Sequence, residues 1–117
     1  MEAIEPVFTT YLGREMNRSH SDFVDAVLAA VEHVPSAKVM TYGDVAEYIG
    51  RGHPRLVGWV MAHYGSEVAW WRVLRAGGLP PQGHEDEALE HYRDEGTPLR
   101  KQGDRVDLAL ARWSGPS

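Results

Sequence analysis

The stretch Thr41-Tyr42-Gly43-Asp44-Val45-Ala46-Glu47-Tyr48-Ile49-Gly50-Arg51-Gly52-His53-Pro54-Arg55-Leu56-Val57-Gly58-Trp59-Val60-Met61 holds two helix starts with a helix stop between them. Thr41 and Asp44 stand three apart, the spacing at which a hydroxyl and a carboxylate cap the first amides of a helix reciprocally. A helix is predicted from there through Tyr48 or Ile49, and Gly50 ends it. Gly50-Arg51-Gly52-His53 reads as a tight turn. Pro54, which has no amide hydrogen to lose, suits the first position of a second helix running to about His63. Two short helices joined by a glycine turn of this length predict a helix-turn-helix. Many helical domains contain such a corner without touching DNA, so the spacing alone leaves nucleic-acid binding open.

Working outward, Ser21 can cap a helix in which Phe23, Val24, Val27, Leu28 and Val31 recur at three-and-four spacing, the mark of one buried face. That helix should stop near Val34-Pro35, because a residue before proline is pushed out of the helical region. Lys38 to Tyr42 reads as a short extended link. Downstream, Val68 to Leu74 is rich in Val and Trp and predicts a short strand, followed by the turn-forming Gly77-Gly78-Leu79-Pro80-Pro81. A further helix is predicted over about Glu85 to Asp94, with Ala88, Leu89 and Tyr92 as its apolar stripe and Gly96 as its C-terminal cap. Thr97 to Asp104 reads as polar loop, and Val106 to Trp113 as a last short helix or strand that docks Leu108 and Trp113. The fold class expected is mainly α, a winged-helix-like helix-turn-helix bundle with a short extended or β segment. Residues 1–20 lack periodicity and are expected to be an irregular lead-in to one domain over residues 21–117.

The 117 residues, 43% of them hydrophobic, suffice for one core and leave no room for a second domain. No run approaches the roughly 18 apolar residues of a membrane span, and the first twenty residues lack the apolar stretch of a secretory signal. A cytoplasmic, monomeric protein with no membrane association is expected. Cysteine is absent, which excludes disulfides, thiolate metal sites and any thiol nucleophile. The net charge of -5 speaks against phosphate binding, which rests on clustered Lys and Arg. Its distribution weakens that objection. His84 to Glu95 carries six acids against Arg93 alone, while Lys38 to Arg75 carries five bases against Asp44, Glu47 and Glu67.

Three short motifs follow one another in the middle of the chain: Val39-Met40-Thr41-Tyr42-Gly43-Asp44-Val45-Ala46, then Arg55-Leu56-Val57-Gly58, then Ala69-Trp70-Trp71-Arg72-Val73. In this order they resemble the DNA-binding half of the O6-alkylguanine-DNA alkyltransferases, with its T-Y-G-x-[IV]-A helix, its R-x-V-G recognition helix and its active-site sequence P-C-H-R-V. The nucleophilic cysteine of that last motif is Trp70 here, the hallmark of the alkyltransferase-like proteins. The resemblance implies a protein that binds O6-alkylguanine in duplex DNA by nucleotide flipping, transfers no alkyl group, and hands the complex to nucleotide-excision repair proteins. Tyr42 resembles the tyrosine that presses on the target phosphate, and Arg55 the arginine that fills the vacated space. Val57, Gly58, Trp59 and Met61 lie on the implied recognition helix, which the family inserts into the minor groove. Trp70, Trp71, Arg72, Val73 and Glu95 are the implied lesion pocket. Trp59 stands where the repair enzymes often have a small residue, Ala62 lacks a charge often found there, and Tyr42 to Arg55 is one residue tighter than in the family.

Each residue has a blander reading beside this one. Tyr42 alone packs under a helix start, Arg55 alone is a solvated helix residue, and adjacent tryptophans on a strand face opposite sides, one of them structural. Stacking on an aromatic is worth about 1–3 kcal/mol per base, enough to offset part of the cost of extrusion. His84, Glu85 and His91 do not form the H-E-x-x-H metal pattern, and residues 85–87, Glu87 included, read as a solvated acidic face whose substitution does little. No metal, cofactor or catalytic triad is expected. Two other functions remain open: a winged-helix regulator of undamaged DNA, and a protein-interaction module that has lost DNA binding.

Overall fold

The structure, a computed structural model, describes residues 21–116; the expected irregular lead-in over residues 1–20 lies outside the described residues. Helix α1 occupies residues 21–33 and turns Val24, Val27, Ala30 and Val31 inward, the face that the three-and-four spacing foretold. Residues 34–38 then lead into β1 (Met40–Thr41). Thr41 ends that strand and caps α2 (Tyr42–Ile49): its Oγ1 accepts from the Asp44 amide at 3.0 Å, while the Asp44 carboxylate accepts from the Thr41 amide at 3.0 Å. Gly50, at φ 79°, closes the helix by donating to the Ala46 and Glu47 carbonyls, a left-handed geometry that glycine enters without steric cost.

The turn to α3 (Pro54–Tyr64) is equally local in origin. Gly52 takes φ 82°, and the Phe23 ring of α1 occupies the space a Cβ would need, so α1 itself closes over the corner. His53 accepts the Leu56 amide on Nδ1 at 3.4 Å, and Pro54 opens the helix as expected; the helix runs one residue past His63. An eight-residue helix such as α2 is too short to persist alone in water. Packing of Val45, Val57 and Val60, all fully buried, holds the pair together, at about 1.5–3 kcal/mol per buried side chain.

The predicted strand over Val68 to Leu74 is much shorter than expected. Gly65–Glu67 and Trp70–Arg72 are single 3₁₀ turns, and β2 comprises Val73–Leu74 alone, pairing parallel with β1 (Met40 opposite Val73, Thr41 opposite Leu74). The partner strand sets this length, because Thr41 leaves the sheet at once to cap α2. On the other side, Val39 is engaged by the C-terminal segment, donating to the Ala111 carbonyl at 3.0 Å and accepting from the Trp113 amide at 2.8 Å. Parallel neighbours need a crossover, and here the helix-turn-helix supplies it.

Helix α4 (Glu85–Glu95) buries Ala88 and Tyr92 and ends at Gly96. The short helix α5 (Leu108–Ala111) falls within the predicted last element. The core has two lobes. Helices α1, α2 and α3 form the first with Met40 of β1 and Val73 of β2; Val39, Leu74 of β2, α4, Val106 and α5 form the second, and Trp70 packs against both. Leu108 joins the second lobe and Trp113 the first. The architecture is therefore the mainly helical, helix-turn-helix bundle expected, with a two-stranded sheet as its extended part. Among the described residues no helix is long and apolar enough to cross a membrane.

Candidate nucleic-acid interface

Where the two lobes meet, a hollow of about 770 Å³ opens between the start of α2, one face of α3, the 3₁₀ turn at Trp70 and the start of α4. Tyr42, Gly58, Met61, Ala62 and Trp70 line it together with Gly65 and Ser66. Arg75, Pro81, Gln82, His84 and Glu87 line it from the loop after β2 and the start of α4. Tyr42, the first residue of α2, is half-buried with its ring over Gly58, whose missing Cβ would stand 3.7 Å from the ring carbons. Burial pushes the Tyr42 hydroxyl up from its ordinary value while the nearby Arg75 charge draws it back down, so near neutrality it is a neutral phenol able to donate a hydrogen bond.

Arg55 lies one turn before Gly58 on the same stripe of α3, since residues 55, 58 and 62 succeed one another at three-and-four spacing. It is exposed and makes no hydrogen bond or ion pair among the described residues, whereas Arg51 donates to the Asp22 carbonyl and Arg72 is paired. Of the other α3 residues assigned to DNA, Gly58 and Met61 line the hollow, but Val57 is fully buried in the first core lobe and cannot reach a ligand. Helical phase explains the difference, because Val57 points about 100° away from Gly58. Trp59 is 39% exposed and stacks on His63 at 4.3 Å between ring centroids, so it faces outward and not into the core.

The two tryptophans separate differently from the strand-based expectation. Lying on a 3₁₀ turn, they do not alternate across a sheet; their rings meet edge to face at 86° and 5.6 Å. Trp70 lines the hollow beside His84, at 5.6 Å between centroids. Trp71 is turned to α4, stacked flat on His91 at 3.6 Å, with its indole N–H donating to Glu95 at 2.8 Å and its carbonyl accepting from the Tyr92 hydroxyl at 2.6 Å. Tyr92 is thereby fixed as a donor, and burial pushes its hydroxyl well above the ordinary tyrosine range.

Arg72 and Glu95 complete a bracket around that turn. The guanidinium donates to the carboxylate through Nε and Nη2, the latter at 2.7 Å, and through Nη1 to the Val34 carbonyl at 3.1 Å. Glu95 also accepts the Ala37 amide at 3.0 Å. Burial works to raise the Glu95 carboxyl, but Arg72, the Ala37 amide and the Trp71 indole outweigh it and hold the group below the ordinary glutamate value. Trp71, Arg72, Val73 and Glu95, assigned to the lesion pocket from the sequence, therefore do not line the hollow. Val73 is fully buried, and the other three tie the Trp70 turn to α4 and to the end of α1.

Sequence reasoning missed the lining contributed by the loop after β2 and the start of α4. Glu87, expected to be a solvated acid, borders the hollow with its carboxylate 3.6 Å from His84 Nδ1. Arg75 is pinned there by donating to the Pro80 carbonyl at 2.7 Å and to Glu85 at 3.3 Å. Nothing in the linear pattern marks these residues, because the loop between Leu74 and α4 must fold back before they meet Tyr42. Chemically, the hollow offers an aromatic face, a neutral phenol, a guanidinium paired with Glu85 and the exposed Glu87 carboxylate; the chain carries no cysteine that could accept an alkyl group.

Comparison with known proteins agrees with this arrangement. The family described as 6-O-methylguanine DNA methyltransferase, DNA binding domain, matches residues 22–97. A DNA base-flipping protein of Vibrio parahaemolyticus is 34% identical over 96 residues, covering 78% of this chain and 95% of that protein. Alkyltransferase-like protein 1 of Schizosaccharomyces pombe is 40% identical over 60 residues, 49% of this chain and 56% of its own. The S. pombe protein solved in complex with damaged DNA containing O6-carboxymethylguanine superposes with a TM-score of 0.70 at 27% identity, covering 82% of this chain and 97% of that one. A family match over more than half of the chain, joined to the shared fold, shows that this chain belongs to the 6-O-methylguanine DNA methyltransferase DNA-binding-domain family, as an alkyltransferase-like protein.

Proposed function

We propose that this chain recognises O6-alkylguanine in duplex DNA by rotating the damaged nucleotide into the hollow beside Trp70, and that it performs no alkyl transfer. The observation that carries the reading is the convergence of Tyr42, Gly58 and Trp70 on one hollow, with Arg55, exposed and unpaired among the described residues, one helical turn before Gly58. Extrusion costs a few kcal/mol of stacking and pairing. Arg55 offsets part of it by entering the vacated stack, where a planar cation both stacks and donates. Trp70 offsets more by stacking on the arriving base. Gly58 lets α3 approach the groove closely, and Tyr42 donates to the backbone phosphate. A relative named as a base-flipping protein and another bound to damaged DNA support the same reading.

With no thiol the alkyl group has no acceptor, so the product is a marked lesion and not a repaired one. The bound complex, formed by a monomer, then serves as the signal to nucleotide-excision repair proteins. The test places 2-aminopurine beside a single O6-methylguanine in a duplex. Its fluorescence should rise as the protein binds, because its neighbour leaves the stack, and the rise should shrink with Arg55→Ala. Binding without any fluorescence change would reject extrusion.

A further inference from the structure

The hollow has lining residues, from the loop after β2 and the start of α4, that the lesion-pocket reading above does not use. At about 770 Å³ it lies in the upper part of the range of small-molecule sites, roughly 300–1,000 Å³, so a base leaves space for a sizeable O6 substituent. Met61 and Trp70 supply apolar surface. Arg75, also in the lining, is held at two points, by the Pro80 carbonyl and by Glu85, and these bonds engage two of the five guanidinium N–H groups. Its charge draws down the Tyr42 hydroxyl, which borders the same hollow. Glu87 opposes it in sign but not in placement. The Glu87 side chain is 70% exposed and directed at His84, whereas that of Arg75 is 33% exposed. Glu85, which pairs with Arg75 at 3.3 Å, is 45% exposed, so water screens both carboxylates more than the guanidinium, and part of the guanidinium's charge remains for a ligand.

We propose that Arg75 is a specificity-determining residue, donating its remaining N–H groups to an anionic end of the O6 substituent, so that carboxyl-bearing adducts are favoured over neutral adducts of equal size. The inference rests on the lesion-pocket reading above. A pre-positioned guanidinium suits a carboxylate, whose two oxygens match its fork. A branched alkyl group of the same shape would leave those donors desolvated and unpaired.

The test is a titration of the full chain with four labelled duplexes that differ at one guanine: unmodified, O6-methyl, O6-carboxymethyl and O6-isobutyl, the last being the neutral isostere of the third. The carboxymethyl duplex should bind about tenfold tighter than the isobutyl one, the scale of one charge-assisted hydrogen bond. Arg75→Gln should bring that ratio close to one, and Arg75→Lys should restore part of it. Glu87→Gln should raise the ratio about two- to fivefold, as removal of an exposed opposing charge does, and this arm stands even if the Arg75 variants fail to fold. A wild-type ratio of one, or a ratio that neither Arg75→Gln nor Glu87→Gln moves, overturns the proposal while lesion binding itself survives. Equal affinity for the methyl and unmodified duplexes overturns the lesion-pocket reading and this inference with it.

Discussion

The Trp71 indole N–H lies 2.8 Å from the Glu95 carboxylate, and that bond gives two neighbouring tryptophans different tasks. Held by Glu95 and stacked on His91, Trp71 becomes part of the scaffold, which leaves Trp70 as the indole that lines the hollow. A carboxylate that the sequence places in a pocket instead anchors the turn behind it.

Stability should fall in acid for this reason. Glu95 sits below its ordinary value of 4.5 in the folded protein, so between the folded and unfolded values the unfolded chain binds more protons. The stabilisation is complete above that ordinary value and is lost as pH drops through the folded one. Glu95→Gln should flatten this part of the profile. It should also cost about 1.5–3 kcal/mol at neutral pH, because Arg72 and the Ala37 amide lose a charged acceptor. Urea unfolding at several pH values checks both, and an unchanged acid slope in the variant would show that Glu95 does not set it.

Val57→Ala should destabilise by about 1–3 kcal/mol through the cavity it leaves in the first core lobe. The affinity of the folded protein for lesion duplex should stay within about twofold, since the side chain is fully buried. Denaturant unfolding paired with a binding titration measures the two effects separately.

Arg55→Ala should show the reverse pattern. An exposed side chain with no partner among the described residues contributes little to folding, so stability should change by less than about 0.5 kcal/mol. Lesion affinity should drop about tenfold, and the dependence of affinity on salt should lessen. A variant that binds lesions as wild type does would remove Arg55 from the account.

Gly58→Ala sets stability against binding. The new methyl would sit 3.7 Å from the Tyr42 ring, an ordinary contact, and alanine is favoured over glycine inside a helix by about 0.5–1 kcal/mol. The melting temperature should rise while DNA affinity falls, because the methyl occupies the face that meets the groove. Thermal denaturation and titration together test the opposition.

Most of the fold was legible because its signals are local. Thr41 and Asp44, Gly50, Pro54 and Gly96 each act within a few residues of themselves, and the structure puts them at the helix ends their chemistry requires. The strand at Val68 to Leu74 was misread because its length is set by Thr41, more than thirty residues upstream, which abandons the sheet to cap α2. The lining of the hollow was legible where a motif names a surface, at Tyr42, Gly58 and Trp70. It was not legible where a motif residue serves the scaffold, as Val57, Arg72 and Glu95 do, nor where a long loop returns, as at Arg75 and His84.

Everything functional depends on the hollow preferring a damaged base to a normal one. The direct measurement is equilibrium binding of the wild-type chain to two duplexes of identical sequence, one carrying a single O6-methylguanine, followed by mass analysis of the protein. The account predicts at least about fivefold tighter binding to the lesion, the low end of one base's stacking energy, with the protein mass unchanged. Equal affinity for both duplexes, or a protein heavier by a methyl group, would contradict it.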